Sequence, residues 1–110
     1  MDWSLIKRIV EMSQKETLRE AIANKRIVEF SYRGETRRVE PYVLWRDRSG
    51  VLQLDGWSVG FSESESNPPW RNYNLSKIGK DLIATKDVFD GRRAGYNPKS
   101  KKYRRSVSQV

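Results

Sequence analysis

The sequence predicts a mainly β domain with helices at its N-terminus, built as a small, strongly curved, five-stranded barrel of the Sm or SH3 type. Three observations carry this expectation. Apolar residues recur at helical spacing only over the first 24 positions, and from Ile27 onward the period drops to two. Pro41 and Gly56 then interrupt two of the resulting strands, as the bends of a tight barrel require. An OB-fold is the nearest competitor, but it usually places a helix between its third and fourth strands, where this chain has a polar loop.

Leu5, Ile9 and Met12, with Ile6 and Val10 beside them, follow the i, i+3, i+4 rule, and Asp2 suits an N-cap. Ser13 and Glu16 match a capping box, which predicts a second helix starting at Ser13. That helix turns Leu18, Ala21 and Ile22 inward and stops near Asn24. Val28, Phe30 and Tyr32 alternate with polar residues up to Gly34, a hairpin turn. The return strand is Thr36–Trp45, with Pro41 at an edge or a bulge. Val51–Val59 follows as the third strand and Trp70–Leu75 as the fourth, separated by a Ser/Glu-rich loop over Phe61–Pro69. Leu82–Phe89 closes the set. The predicted organisation is a helical segment over residues 1–24, a barrel over 25–90 and a flexible basic tail over 91–110.

Charge divides sharply along the 110 residues. Of the net +8, residues 91–110 contribute +7 through Arg92, Arg93, Lys99, Lys101, Lys102, Arg104 and Arg105, with no acid among them. Such a run is usually a solvated end; as a functional element it adds salt-sensitive affinity for nucleic-acid phosphates. Cysteine and histidine are both absent, which removes disulfides, Cys/His zinc sites, thiol nucleophiles and imidazole bases. Glu63, Glu65, Asp81, Asp87 and Asp90 lack the apolar surroundings that raise a carboxyl pKa, and no phosphate-binding glycine loop is present. No enzymatic activity and no cofactor is expected. The first 12 residues do not read as a signal peptide and no stretch suits a membrane span, so a cytoplasmic protein is expected.

Four pieces in order resemble the WYL domain family. They are Ala21–Tyr32, Arg37–Pro41, Leu52–Trp57 and Arg71–Ile78, followed at a distance by Phe89. The family's pattern has a helix before an i-x-Y strand, an R-x-x-x-P strand, the W-Y-L strand and an R-x-F-R-L-D-R-I strand. Here the naming tripeptide is Leu52, Gln53 and Leu54, and the last motif carries Asn74, Ser76 and Lys77 in place of its second arginine, acid and final arginine. The resemblance implies an Sm-like barrel that binds a small ligand or nucleic acid, usually as the regulatory part of a bacterial transcription factor. A stand-alone copy without the accompanying DNA-binding domain is expected.

The candidate site collects Tyr32, Arg37, Arg38, Arg71, Asn74 and Lys77, bordered by Trp57 or Trp70. Adjacent strand residues point to opposite faces, so only one of Arg37 and Arg38 reaches a pocket, where a guanidinium fork pairs with phosphate or carboxylate. The other serves a solvated strand. Tyr32 is either a core ring or a stacking platform. Trp45, Trp57 and Trp70 crowd a small core, so at least one reaches the surface to stack on a base or fill a protein interface. Arg71, Asn74 and Lys77 share a site only if the chain turns at Leu75–Ser76, as the resemblance implies. The expected ligand is anionic, single-stranded nucleic acid or a nucleotide. The alternative is an interaction module: a homodimer through strand edges or through the helix bearing Trp3, Ile6 and Val10.

Overall fold

In the computed structural model, which describes residues 3–59 and 69–110, one helix precedes six strands. Helix α1 (Trp3–Ala23) runs unbroken through Ser13. The break expected there does not form because Ser13 sits inside the helix, its carbonyl accepting from the Thr17 hydroxyl at 3.0 Å. Glu16 reaches forward to Arg19 at 3.7 Å instead of back to a cap. Gln14 then ties the helix to the body, its amide donating to the carbonyls of Ile78 and Gly79 at 3.1 Å each. The helix ends as Lys25 takes a left-handed conformation (φ 51°).

Strands β1 (Arg26–Tyr32) and β2 (Glu35–Arg46) form a hairpin across Arg33 and Gly34, both at positive φ. Strand β3 (Leu52–Ser58) returns after a turn pinned by Asp47, whose carboxylate accepts from the Ser49 and Val51 amides at 2.8 and 3.0 Å. Strand β4 (Trp70–Asn74) leads into a 3₁₀ turn (Leu75–Lys77), and β5 (Ile83–Val88) pairs with β1. The ladder order is β4-β3-β2-β1-β5, all antiparallel. Pro41 lies where the β2–β3 register shifts, a bulge that bends β2 as its missing donor requires.

The class is mainly β, but the sheet is open: no ladder among the described residues joins β4 to β5 and closes a barrel. The curl comes from side chains. A buried cluster of Leu18, Ile22, Val28, Phe30, Val39, Leu54 and Tyr73 fills the face under α1. Each such side chain contributes roughly 1.5–3 kcal/mol.

The C-terminal residues, expected as a flexible tail, are folded onto the sheet. Strand β6 (Ser106–Gln109) pairs with β2 over Val43–Trp45, on the edge that β1 has left by then. Tyr42, Val43 and Phe89 form a second buried cluster on the opposite face of the sheet, and Tyr96, Tyr103 and Val110 pack onto it. The apolar residues that dock this segment are too sparse among its seven cations to show a period. Of the loop expected over 61–69, only Pro69 falls within the described residues, and Asp2, Glu63 and Glu65 fall outside them. No helix among the described residues is long and apolar enough to cross a membrane.

Candidate anion site

Strand alternation and register bring one part of the expected site together. Arg37 lies opposite Phe30, so it shares a face with Phe30 and Tyr32. Arg71 lies opposite Gly56 and two residues before Tyr73, which places it on the same face. β1 and β4 are separated in the sheet by two strands, yet the Tyr32 and Tyr73 rings meet edge-on with centroids 5.0 Å apart. Phe30 packs edge-on against Tyr73 at 5.1 Å, and the Asn74 amide donates to the Tyr32 hydroxyl at 3.3 Å. Such aromatic pairs contribute about 0.5–1.5 kcal/mol beyond their buried area.

Over this seam sits a group of cations. The Arg33 and Arg37 guanidiniums lie 5.6 and 6.0 Å from the Tyr32 ring centre. Arg37 is 11% exposed and touches the exposed carboxylate of Glu35 at 3.3 Å. Its Nε and the Tyr73 hydroxyl are both buried with no hydrogen-bond partner among the described residues. Burial pushes the Tyr73 pKa up, while the nearby charges of Arg71 and Arg37, and after them a contact with the Ser58 side chain that falls short of hydrogen-bond geometry, pull against it. Two cations and an unsatisfied hydroxyl therefore converge, a donor set suited to a phosphate or carboxylate.

The other expected residues are placed elsewhere. Arg38 is on the opposite face from Arg37 and Arg71, bound to Asp87 and, at 2.6 Å, to Glu29, which together raise its pKa. Trp57 and Trp70 also lie on that far face, their rings edge-on at 5.5 Å, with Arg93 stacked 4.7 Å over Trp57 and the Trp70 indole N–H donating to the Ala94 carbonyl at 2.6 Å. Asn74 is spent as a cap, its side chain accepting from the Ser76 amide and hydroxyl at 2.9 and 2.7 Å. Lys77 is exposed at the end of the 3₁₀ turn. Tyr73 and Arg33 were missed by sequence reading; alternation from Arg71 was the available signal for Tyr73.

Two of the tail cations anchor the C-terminal segment. Arg93 grips the buried Glu40 with two hydrogen bonds, Nε to Oε1 at 2.9 Å and Nη2 to Oε2 at 2.8 Å. Lys102 and the Tyr103 hydroxyl each lie 2.6 Å from Asp55 Oδ2, and the Asn72 amide donates to Oδ1 at 2.9 Å. Burial opposes the Asp55 charge, but the hydrogen bonds from Lys102, Tyr103 and Asn72 outweigh it and hold the carboxyl below its ordinary range. Arg92, Lys99, Lys101, Arg104 and Arg105 are exposed.

No curated protein and no solved structure matches the chain. The family model of the WYL domain matches residues 14–82, from the inner part of α1 to the residue before β5 and across every strand that carries the cation group. That span is more than half of the 110 residues, and the chain belongs to the WYL domain family, a family of regulatory, ligand-binding domains.

Proposed function

We propose that this chain is a non-enzymatic, cytoplasmic ligand-binding module whose ligand is anionic, single-stranded nucleic acid or a nucleotide. The reading rests above all on the two buried polar atoms without partners, Arg37 Nε and the Tyr73 hydroxyl, next to Arg71. A buried donor left unpaired costs about 1–3 kcal/mol, and an anion seated between the guanidiniums recovers that cost. Tyr32 supplies the platform under Arg37, and Lys77 adds long-range attraction. Of the arginine pair on β2, Arg37 is the ligand-facing one. Fluorescence anisotropy with labelled single-stranded DNA and RNA, with unlabelled nucleotides as competitors, tests this. Arg37→Ala and Arg71→Ala are each expected to weaken binding at least tenfold, the value of one charge-assisted hydrogen bond of about 1.5–3 kcal/mol. No binding of oligonucleotide or nucleotide at low salt sinks the proposal.

A second reading, self-association, is favoured by one observation. Trp3, Leu5, Ile9 and Met12 of α1 are each more than half exposed, and Trp3, Ile6 and Val10 line a groove of about 540 Å³ against Val51, Leu52 and Leu75. Sedimentation equilibrium is expected to show a dimer that the double substitution Leu5→Glu, Ile9→Glu dissociates. A monomeric wild type removes this reading.

A further inference from the structure

The free cations of the C-terminal segment do not hang in solution; they are laid beside those of the β2–β3 turn. The Arg46 amide donates to the Arg105 carbonyl at 3.0 Å, and Arg105 Nη1 reaches the Asp47 carbonyl at 3.5 Å. This one region gathers Arg46, Arg48, Lys101, Lys102, Arg104 and Arg105 against two carboxylates, Asp47 and Asp55, which leaves +4 of the chain's +8. Both carboxylates are occupied. Asp47 accepts from the Ser49 and Val51 amides and the Gln53 side chain, and Asp55 is bound by Lys102, Tyr103 and Asn72. Arg48 and Arg104 are exposed, and among the described residues no ion pair holds either side chain.

We infer that this patch is a phosphate-backbone contact surface for a nucleic-acid strand, distinct from the cation group at Arg37 and Arg71. Three features support it. The cations stand on backbone held by the β2–β6 ladder and the Asp47 turn, so little ordering entropy opposes contact. Four of the six are arginines, whose planar forks match phosphate oxygens. The region stays at +4 with both carboxylates counted, and phosphate neutralisation by such groups is sequence-independent and driven by counterion release.

The test is anisotropy of the full chain with a labelled 20-nucleotide single strand and its duplex between 50 and 200 mM salt. Arg48→Gln/Arg104→Gln is expected to weaken binding about tenfold at the lowest salt. It should also make the log K against log salt slope shallower by about 1.4 for the single strand, two contacts at roughly 0.7 each. Arg48→Lys/Arg104→Lys should restore most of the slope. An unchanged slope overturns the inference. So does displacement by poly-glutamate as effective as that by unlabelled oligonucleotide, which assigns the patch to an acidic protein. Binding lost on Arg37→Ala and Arg71→Ala but untouched by the glutamine pair also overturns it, while leaving the site at the seam standing. A thermal melt matching wild type excludes misfolding of the variants, whose substituted side chains are exposed.

Discussion

Gly56 shows how closely β2 and β3 approach at the bend. A Cβ placed there would lie 2.4 Å from Val39 Cγ1 and 2.7 Å from the Glu40 carbonyl oxygen, and backbone cannot retreat cheaply. Gly56→Ala is therefore expected to destabilise the fold by about 1–3 kcal/mol in urea titration. A loss below the error of that titration would mean the bend relaxes freely. Tyr73 makes the opposite prediction. Its buried hydroxyl makes no hydrogen bond of good geometry, so Tyr73→Phe should leave stability equal or slightly higher while weakening anion binding. Loss of both together would recast the hydroxyl as structural. At this scale the sequence could say that Arg37 and Arg38 face apart but not which faces inward. That choice is made by the hairpin register, Phe30 opposite Arg37 and Glu29 opposite Arg38, which no local pattern encodes.

Among the elements, β1 was legible because Val28, Phe30 and Tyr32 alternate with less buried residues, whereas β2 is continuously buried from Val39 to Leu44 between more exposed flanks and β5 is almost wholly exposed. The capping box at Ser13 was a true local signal overridden by tertiary contact, since Gln14 and Leu18 hold the helix continuous against the body. Strand β6 was hidden: Ser106–Gln109 carries one apolar residue, Val107, and exists because β2 offers an unpaired edge. The knot of Asp55, Lys102 and Tyr103 fastens it, and its titration gives a pH prediction. The Asp55 pKa is depressed on folding from an ordinary 3.8, so its contribution is present above that value and lost as pH falls through the folded one. Tyr103 is raised from 10.0, first by burial and then by its bond to Asp55, so its contribution is present below that value and lost as pH rises through the folded one. Asp55→Asn should cost about 1–3 kcal/mol near neutrality, and the gap from wild type should close below about pH 4. A gap independent of pH would show that packing, not charge, fastens the segment.

For the molecule as a whole, two apolar clusters lie on opposite faces of one sheet, and among the described residues the second is covered by Trp45, Trp57 and Trp70 together with Tyr96, Tyr103 and Val110. Removing residues 91–110 would bare Tyr42, Val43, Trp57 and Trp70, so the truncated chain is expected to lose cooperative thermal unfolding or melt well below the full chain. An unchanged melting temperature would show that the β2 edge and its aromatics tolerate water. The net charge read correctly as lopsided, but counting could not reveal that Arg93 and Lys102 are consumed by Glu40 and Asp55 while others are gathered against the β2–β3 turn.

The seam between Tyr32 and Tyr73 has one more consequence. Because, among the described residues, edge-on rings and one 3.3 Å hydrogen bond hold β1 to β4, where a closed barrel would use a backbone ladder, the two strands can part without breaking a rung. An anion lodged between Arg37, whose guanidinium overlies the Tyr32 ring of β1, and Arg71 on β4 would act as a clasp across that gap. Occupancy would then be written into rigidity: bound ligand should slow amide exchange in β1 and β4 together and raise the melting temperature with the logarithm of its concentration. The module would report its ligand by how tightly it is curled, with no element changing place.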